Sequence, residues 1–199
     1  MSKSARRNIL IVDGHPDSRE GRFVHAISQT YADAATEAGH EVKTINVADW
    51  QFEWLKNADE FLKDQPSQAI AYAQSQIAWC DHIVILYPLW LGSMPALLKA
   101  FFEQVMRPNF AFKNEPGGKL PKKLLAGRSA RVIVTMGMPS LFYKWYFRAH
   151  SLKSLERNIL GFVGFAPIRA NVIGNVEGMG PEKRQAWLKR IRQLAAAAH

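Results

Sequence analysis

A single α/β domain, doubly wound around one parallel sheet, is predicted for this chain on three observations. Strand-like apolar runs and helix-period segments alternate throughout. The first run, RNILIVDGH, shows no polar alternation before it ends in turn residues, as suits a central strand buried on both faces. With 199 residues, 48% of them hydrophobic, the chain can bury one substantial core, so residues 1–199 are read as one unit.

The elements follow in order. After the first strand, residues from about Arg22 to Ala38 place Phe23, Ala26, Ile27, Thr30, Tyr31 and Ala34 on one helical face, and Gly39 ends that helix as a C-cap. HEVKTINV is the second strand. The polar and aromatic segment ADWQFEWLKNADEFLKD leads to Pro66 and Ser67, which open a helix running to about Trp79. DHIVILYP is the third strand, MPALLKAFFEQVM the next helix and SARVIVTMGMP the fourth strand. A long irregular stretch precedes a helix around SLKSLERNILGFVG and a fifth strand near PIRANVIG. Pro181 opens the closing helix, Glu182 to about Ala197. Right-handed crossovers then give a five-stranded flavodoxin-like sheet of order 2-1-3-4-5, with helices on both faces.

Composition narrows the function classes. No run of about 18 apolar residues is present, and the N-terminal segment MSKSARRNILIVDGH has a short apolar stretch without a small-residue cleavage site. A cytoplasmic protein is expected. The one cysteine, Cys80, excludes an intramolecular disulfide and a cysteine-based zinc cluster, and no metal is expected. It is read as a packed residue. The net charge of +9 is spread over groups that include Arg19 and Arg22, Arg128 and Arg131, and Lys144 and Arg148. No nucleic-acid module accompanies it, so phosphorylated small ligands are the expected partners and nucleic acid is not.

In open parallel sheets ligands bind beyond the carboxyl ends of the strands at the switch point. That rule selects three loops. The first, DGHPDSREGR, brings His15, Ser18, Gly21 and Arg22 to a helix N-terminus, where backbone N–H groups and the macrodipole favour a phosphate. Its alternative is a solvated turn with Asp17 or Ser18 capping the helix. Neither GxGxxG nor GxxxxGK[ST] occurs. The second, YPLWLGSMPALLK, leaves the third strand through Pro88, Leu89, Trp90, Leu91 and Gly92. Pro88 lacks an N–H and Gly92 permits unusual backbone, so amides and an apolar wall can meet a planar heterocycle. The third, from Met136 and Gly137 to His150, is long, aromatic and basic, and supplies the phenols of Tyr143 and Tyr146 and the imidazole of His150 for proton exchange.

At these residues the chain resembles the flavodoxin-like NAD(P)H dehydrogenase (quinone) family. GHP is similar to that family's opening flavin-phosphate segment, and YPLWLGSMPALLKAFFEQVMRPNFAF to its pattern of Pro, apolar or Trp, Gly or Tyr, Ser, apolar and Pro, followed by an LK-containing helix and a Gly/Phe-rich exit. The resemblance spans about Asn8 to Gly174. It implies a flavin, FMN or FAD, reduced by NAD(P)H and reoxidised by a quinone in a ping-pong shuttle, within a homodimer whose partner chain completes each site. It places His15 near the flavin phosphate or ribityl chain, residues 88–92 along the isoalloxazine, and Tyr143 or Tyr146 with His150 in a proton relay. In the third loop TMGMP replaces the family's Thr-Gly-Gly segment, which Gly137 matches only in part, and in the first loop two positions depart from the family. Gly21 stands for its usual hydroxyl residue and Val24 for its usual Asn, so the phosphate would depend on backbone amides with Ser18 or an arginine.

A second function class is an ancillary flavoprotein subunit that binds a membrane transporter, with the basic surface and the segment Trp50 to Trp54 as its docking face. A receiver-type signalling domain is excluded, since the third strand ends in Tyr87 and Pro88 without a phosphoacceptor aspartate. An electron-carrier flavodoxin is disfavoured by the basic charge.

Overall fold

The computed structural model describes residues 6–51, 53–62, 65–117 and 119–198. The chain runs β1 (Asn8–Asp13), α1 (Phe23–Glu37), β2 (Glu41–Asn46), α2 (Ala58–Leu62), α3 (Gln68–Trp79), β3 (His82–Pro88), α4 (Ala96–Val105), β4 (Phe112–Lys113) and β5 (Lys122–Lys123). It continues through β6 (Ser129–Thr135), α5 (Ser140–Trp145), α6 (His150–Ser154), a π-helical turn at Leu155–Leu160, α7 (Gly161–Val163), β7 (Ile168–Ile173) and α8 (Pro181–Ala197). Five strands form one parallel sheet of order β2-β1-β3-β6-β7, which is the expected 2-1-3-4-5 once the two-stranded β4-β5 ribbon is set aside.

Alternation along the central strands divides the core into two layers. Ile9 and Ile11 of β1, Val84 and Leu86 of β3 and Ile133 of β6 pack with α1 and α8, whereas Leu10, Val12, Ile83, Ile85 and Tyr87 pack with α3 and α4. Successive side chains of a strand point to opposite faces, and a sheet covered on both sides therefore needs apolar residues at every position. Strand β2 is one edge and β7 the other. Only Ile45 of the β2 residues is buried, which fits the mixed sequence EVKTIN.

Helix ends follow local chemistry. At the end of α1, His40 N–H bonds Ala35 O at 3.0 Å and Gly39 N–H bonds Thr36 O at 2.9 Å, with Gly39 at φ +93°. This is a Schellman motif, and Gly39 fills its left-handed position. Ser67 caps α3 by accepting Ile70 N–H at 3.4 Å.

Several expectations are corrected. The loop from Gly137 to His150 is not irregular: Pro139 sits at the N-cap of α5, which occupies its centre. Helix α2 and the β4-β5 ribbon arise where no element was expected, because segments this short carry too little period to read. Helix α4 begins at Ala96, since Pro95 takes its N-cap. Arg131, grouped with the surface cations, is buried at 3% exposure, with Nη1 donating to Asn171 Oδ1 at 2.7 Å. Cys80 is the packed residue expected; burial pushes its thiol up to about 12. Trp50 packs edge-on against Phe101, Trp54 is exposed, and Phe52 between them lies outside the described residues.

No helix among the described residues is long and apolar enough to cross a membrane. No group of His, Cys, Asp or Glu among them could hold a metal ion.

Candidate functional site

The parallel register sets the site. Asp13 pairs with Leu86 and Pro88 with Thr135, so β1, β3 and β6 end together and their following loops leave from one edge. Gly14 then donates its N–H to Leu86 O at 2.7 Å. A β-carbon at Gly14 would lie 2.6 Å from Leu98 Cδ2, so its lack of a side chain lets the first loop cross close over β3 and α4.

The second loop is a tight hairpin. Trp90 and Ser93 exchange N–H···O bonds, both at 2.9 Å, across Leu91 at φ +45° and Gly92 at φ +77°. Two consecutive positive φ values are those of a two-residue type I′ turn, in which glycine suits the second place and leucine is strained in the first. Its base is fixed by Leu89 N–H to Thr135 O at 2.7 Å. The break in YPLWLGSMPALLK is therefore a rigid turn that holds Trp90 out from the sheet.

The first loop is organised by carboxylates. Asp17 accepts from Arg19 and Arg22, with Nε of each at 2.9–3.0 Å, and these hydrogen bonds hold its carboxyl far below the usual carboxylate range. Asp17 is thereby occupied and does not cap α1. The N-cap is Arg22, with no side-chain bond to the helix and no acidic residue in the first turn. The expected capping by Asp17 or Ser18 is therefore not made, and the first N–H groups of α1 lack a side-chain cap from the N-cap residue. Deeper in the loop, Asp13 is 2% exposed and accepts His15 N–H on Oδ1 at 3.1 Å, while His15 Nδ1 accepts Asp17 N–H at 3.1 Å. Burial and the charge of neighbouring His25 lower the His15 pKa, with Asp13 and Asp17 opposing.

These loops enclose a cleft of about 280 Å³. Of the expected cofactor residues, His15, Gly21, Arg22, Pro88, Leu89, Trp90, Met136 and Gly137 line it together. Ser18 instead faces a neighbouring cavity with Asp13, His25 and Asp49. Leu91 and Gly92 form the turn tip, with Leu91 fully exposed, and are outside the lining because the reversal at Trp90 carries them away.

The expected proton-transfer residues are not brought together there. Tyr143 is 1% exposed; its hydroxyl is 2.8 Å from Ser151 Oγ and accepts Leu152 N–H at 3.2 Å. Helix α5 turns that phenol into the core. Tyr146 is exposed and stacked on Phe142 at 5.1 Å, and His150 is exposed at the start of α6.

The cleft also has a wall the sequence reading missed, made by Val176, Glu177 and Arg184. Arg184 Nε and Nη2 donate to Met179 O and Val176 O, both at 3.0 Å, and its guanidinium lies 5.0 Å from the Phe23 ring centre. It thus ties the β7–α8 loop to α1. The signal was available, since this loop also leaves the carboxyl end of a strand.

A family model described as flavodoxin-like fold matches residues 7–196. An uncharacterized NAD(P)H oxidoreductase of Haemophilus influenzae is 25% identical over 197 residues, 96% of this chain and 95% of that protein. A Bacillus cereus protein named FMN-dependent NADH:quinone oxidoreductase 3 is 27% identical over 212 aligned positions, covering 94% of this chain and 97% of its own. The solved NAD(P)H:quinone oxidoreductase from Methanothermobacter marburgensis superposes with a TM-score of 0.82 at 19% identity, over 98% of this chain and all of its own, which is a likeness of fold.

Proposed function

The chain belongs to the Flavodoxin_2 family of flavodoxin-like fold, and from that premise we propose that it is a flavin-dependent NAD(P)H:quinone oxidoreductase that carries FMN. The observation that carries the reading is one cleft lined at once by the loops after β1, β3 and β6. The names of the relatives support the cofactor and the acceptor, and favour FMN over FAD.

The residues present fit a flavin. The uncapped entrance of α1, with Arg22 beside it, suits the phosphate. Pro88, Leu89 and the Trp90 ring would form an apolar wall for a planar heterocycle in the cleft that Met136 and Gly137 also line. The Glu177 carboxylate packs beside Gly137, where a β-carbon would come within 3.3 Å of Glu177 Oε1.

When bound, a flavin would supply two-electron chemistry between NAD(P)H and a quinone. The chain's own part is to orient and to handle protons. His15, buried and biased toward the neutral imidazole, keeps charge off the floor of the cleft while its Nδ1 holds the loop. Tyr146 and His150 stay exposed on the segment that follows β6, where they can meet an acceptor; the buried Tyr143 hydroxyl ties α5 to Ser151 and Leu152 of α6. Leu141, Phe142, Trp145 and Tyr146 make an exposed apolar face on the same segment, which supports completion of the site by a second copy in a homodimer.

The test is the absorbance spectrum of the purified protein loaded with FMN, followed anaerobically on adding NADPH or NADH and then a quinone. Bleaching and recovery are expected. A chain that stays colourless after incubation with FMN and FAD, or a bound flavin that neither pyridine nucleotide bleaches, overturns the reading.

A further inference from the structure

His25, the third residue of α1, stands between two acceptors. Its Nδ1 lies 2.7 Å from Asp13 Oδ2 and its Nε2 lies 2.8 Å from the Asp17 carbonyl oxygen. A carbonyl oxygen offers only lone pairs, so the Nε2 contact requires an N–H. The Asp13 carboxylate also only accepts, and its other oxygen already takes His15 N–H. A neutral imidazole can satisfy one of these acceptors, not both. The pair therefore holds one proton more than neutral histidine.

The position makes that proton informative. A cation in the first turn of a helix opposes the macrodipole, and α1 has no acidic residue there to offset it. Asp13 balances the charge from below, at 2% exposure, and a bound phosphate would balance it from above. The Nε2 bond fastens the backbone of Asp17, the residue whose side chain gathers Arg19 and Arg22.

We infer that His25 is held as an imidazolium by Asp13 and clamps the β1–α1 loop through the Asp17 carbonyl, so that its proton sets the affinity of that loop for the flavin phosphate. This rests on the flavin reading above. His25 is a positioning residue, since both ring nitrogens are occupied by protein. Other groups face it: the His15 ring at 5.2 Å, Glu20 on the loop, Asp49 after β2 and Arg184 of α8. Its pKa is raised in the fold: burial pulls it down, and the bonds to Asp13 and to the Asp17 backbone, with the charges of both, outweigh that.

The experiment has two readouts on the full chain. Histidine-selective ¹⁵N labelling of the flavin-free protein, with long-range ¹H–¹⁵N spectra, reports the protonation of both His25 nitrogens. Fluorescence quenching gives the FMN Kd from pH 7 to 9.5, a range in which the FMN phosphate stays dianionic, for the wild type, His25→Gln and Asp13→Asn. Expected are imidazolium shifts for His25 at pH 7, and a wild-type Kd that weakens about tenfold as that signal titrates. His25→Gln should bind weakly at pH 7 and stay flat, and riboflavin, lacking the phosphate, should show little pH dependence with any variant. A neutral tautomer at pH 7 overturns the imidazolium. FMN binding with a constant ratio between wild type and His25→Gln overturns the clamp alone. A wild type that binds no FMN overturns the flavin reading, and with it the coupling.

Discussion

The rings of His15 and Trp90 meet edge to face, 6.1 Å between centres and 80° between planes. That contact joins the β1–α1 loop to the hairpin after β3, and it sets one corner of the cleft. Trp90 is half exposed, so its removal should cost the fold little. Such an aromatic pair is worth about 0.5–1.5 kcal/mol, and the ring is also the proposed flavin wall. Trp90→Ala should weaken FMN binding about tenfold while leaving the thermal midpoint nearly unchanged. A loss of stability without loss of affinity would show that Trp90 is packing only.

Two glycines near the cleft should differ in the cost of an added methyl group. At Gly92 nothing lies within 4 Å of the missing β-carbon, so Gly92→Ala pays only for φ +77°, about 1–2 kcal/mol. Gly14 has no such strain, yet its β-carbon would sit 2.6 Å from Leu98 Cδ2 and 2.9 Å from Leu86 O. Overpacking of this kind costs about 1–3 kcal/mol, and the backbone oxygen cannot swing aside as a side chain can. Urea unfolding should therefore rank Gly14→Ala as the more damaging change. The reverse order would mean that the first loop lifts readily from β3.

The contrast between these loops shows what was legible beforehand. The strand order and the meeting of three loops follow from apolar runs such as RNILIVDGH and from the switch-point rule, and both are visible in the sequence. Trp90 and Gly92 announce a turn, but only the backbone shows that the chain reverses at Trp90 and takes Leu91 out of the cleft. The direction of Tyr143 was not legible, because it depends on helix α5, a six-residue element whose pattern is too short to phase. The pairing of His25 with Asp13 joins a helix to a strand end across 12 residues, and no periodicity marks it.

Tyr143 and Tyr87 should respond oppositely to loss of the hydroxyl. Tyr143 OH serves Ser151 and the Leu152 N–H, so Tyr143→Phe leaves a buried donor unmatched and should destabilise by about 1–2 kcal/mol. Tyr87 OH is buried without a hydrogen-bond partner among the described residues, and burial pushes its pKa well up. Tyr87→Phe should be neutral or stabilising by about 1 kcal/mol. Neither change should alter FMN affinity. A Tyr143→Phe enzyme that folds normally yet loses turnover would return that phenol to the chemistry.

The two histidines of the first loop should bend the stability curve in opposite directions. His25 has a raised pKa, so its contribution is complete below the unfolded value of about 6.5 and is lost as pH rises through the folded value. His15 has a lowered pKa, through burial and the charge of His25, so its contribution is present above about pH 6.5 and is lost as pH falls through the folded value. Urea midpoints of the flavin-free protein should show this directly. The gap between wild type and His25→Gln should narrow from pH 6.5 to 9, and the gap to His15→Gln should narrow from pH 6.5 to 5. His25→Gln also removes the charge beside His15, so in that background the acid-side loss from His15 should shrink. Gaps that stay constant across both ranges would mean that neither ring changes its proton affinity on folding, and the arrangement around Asp13 would then be packing without linkage.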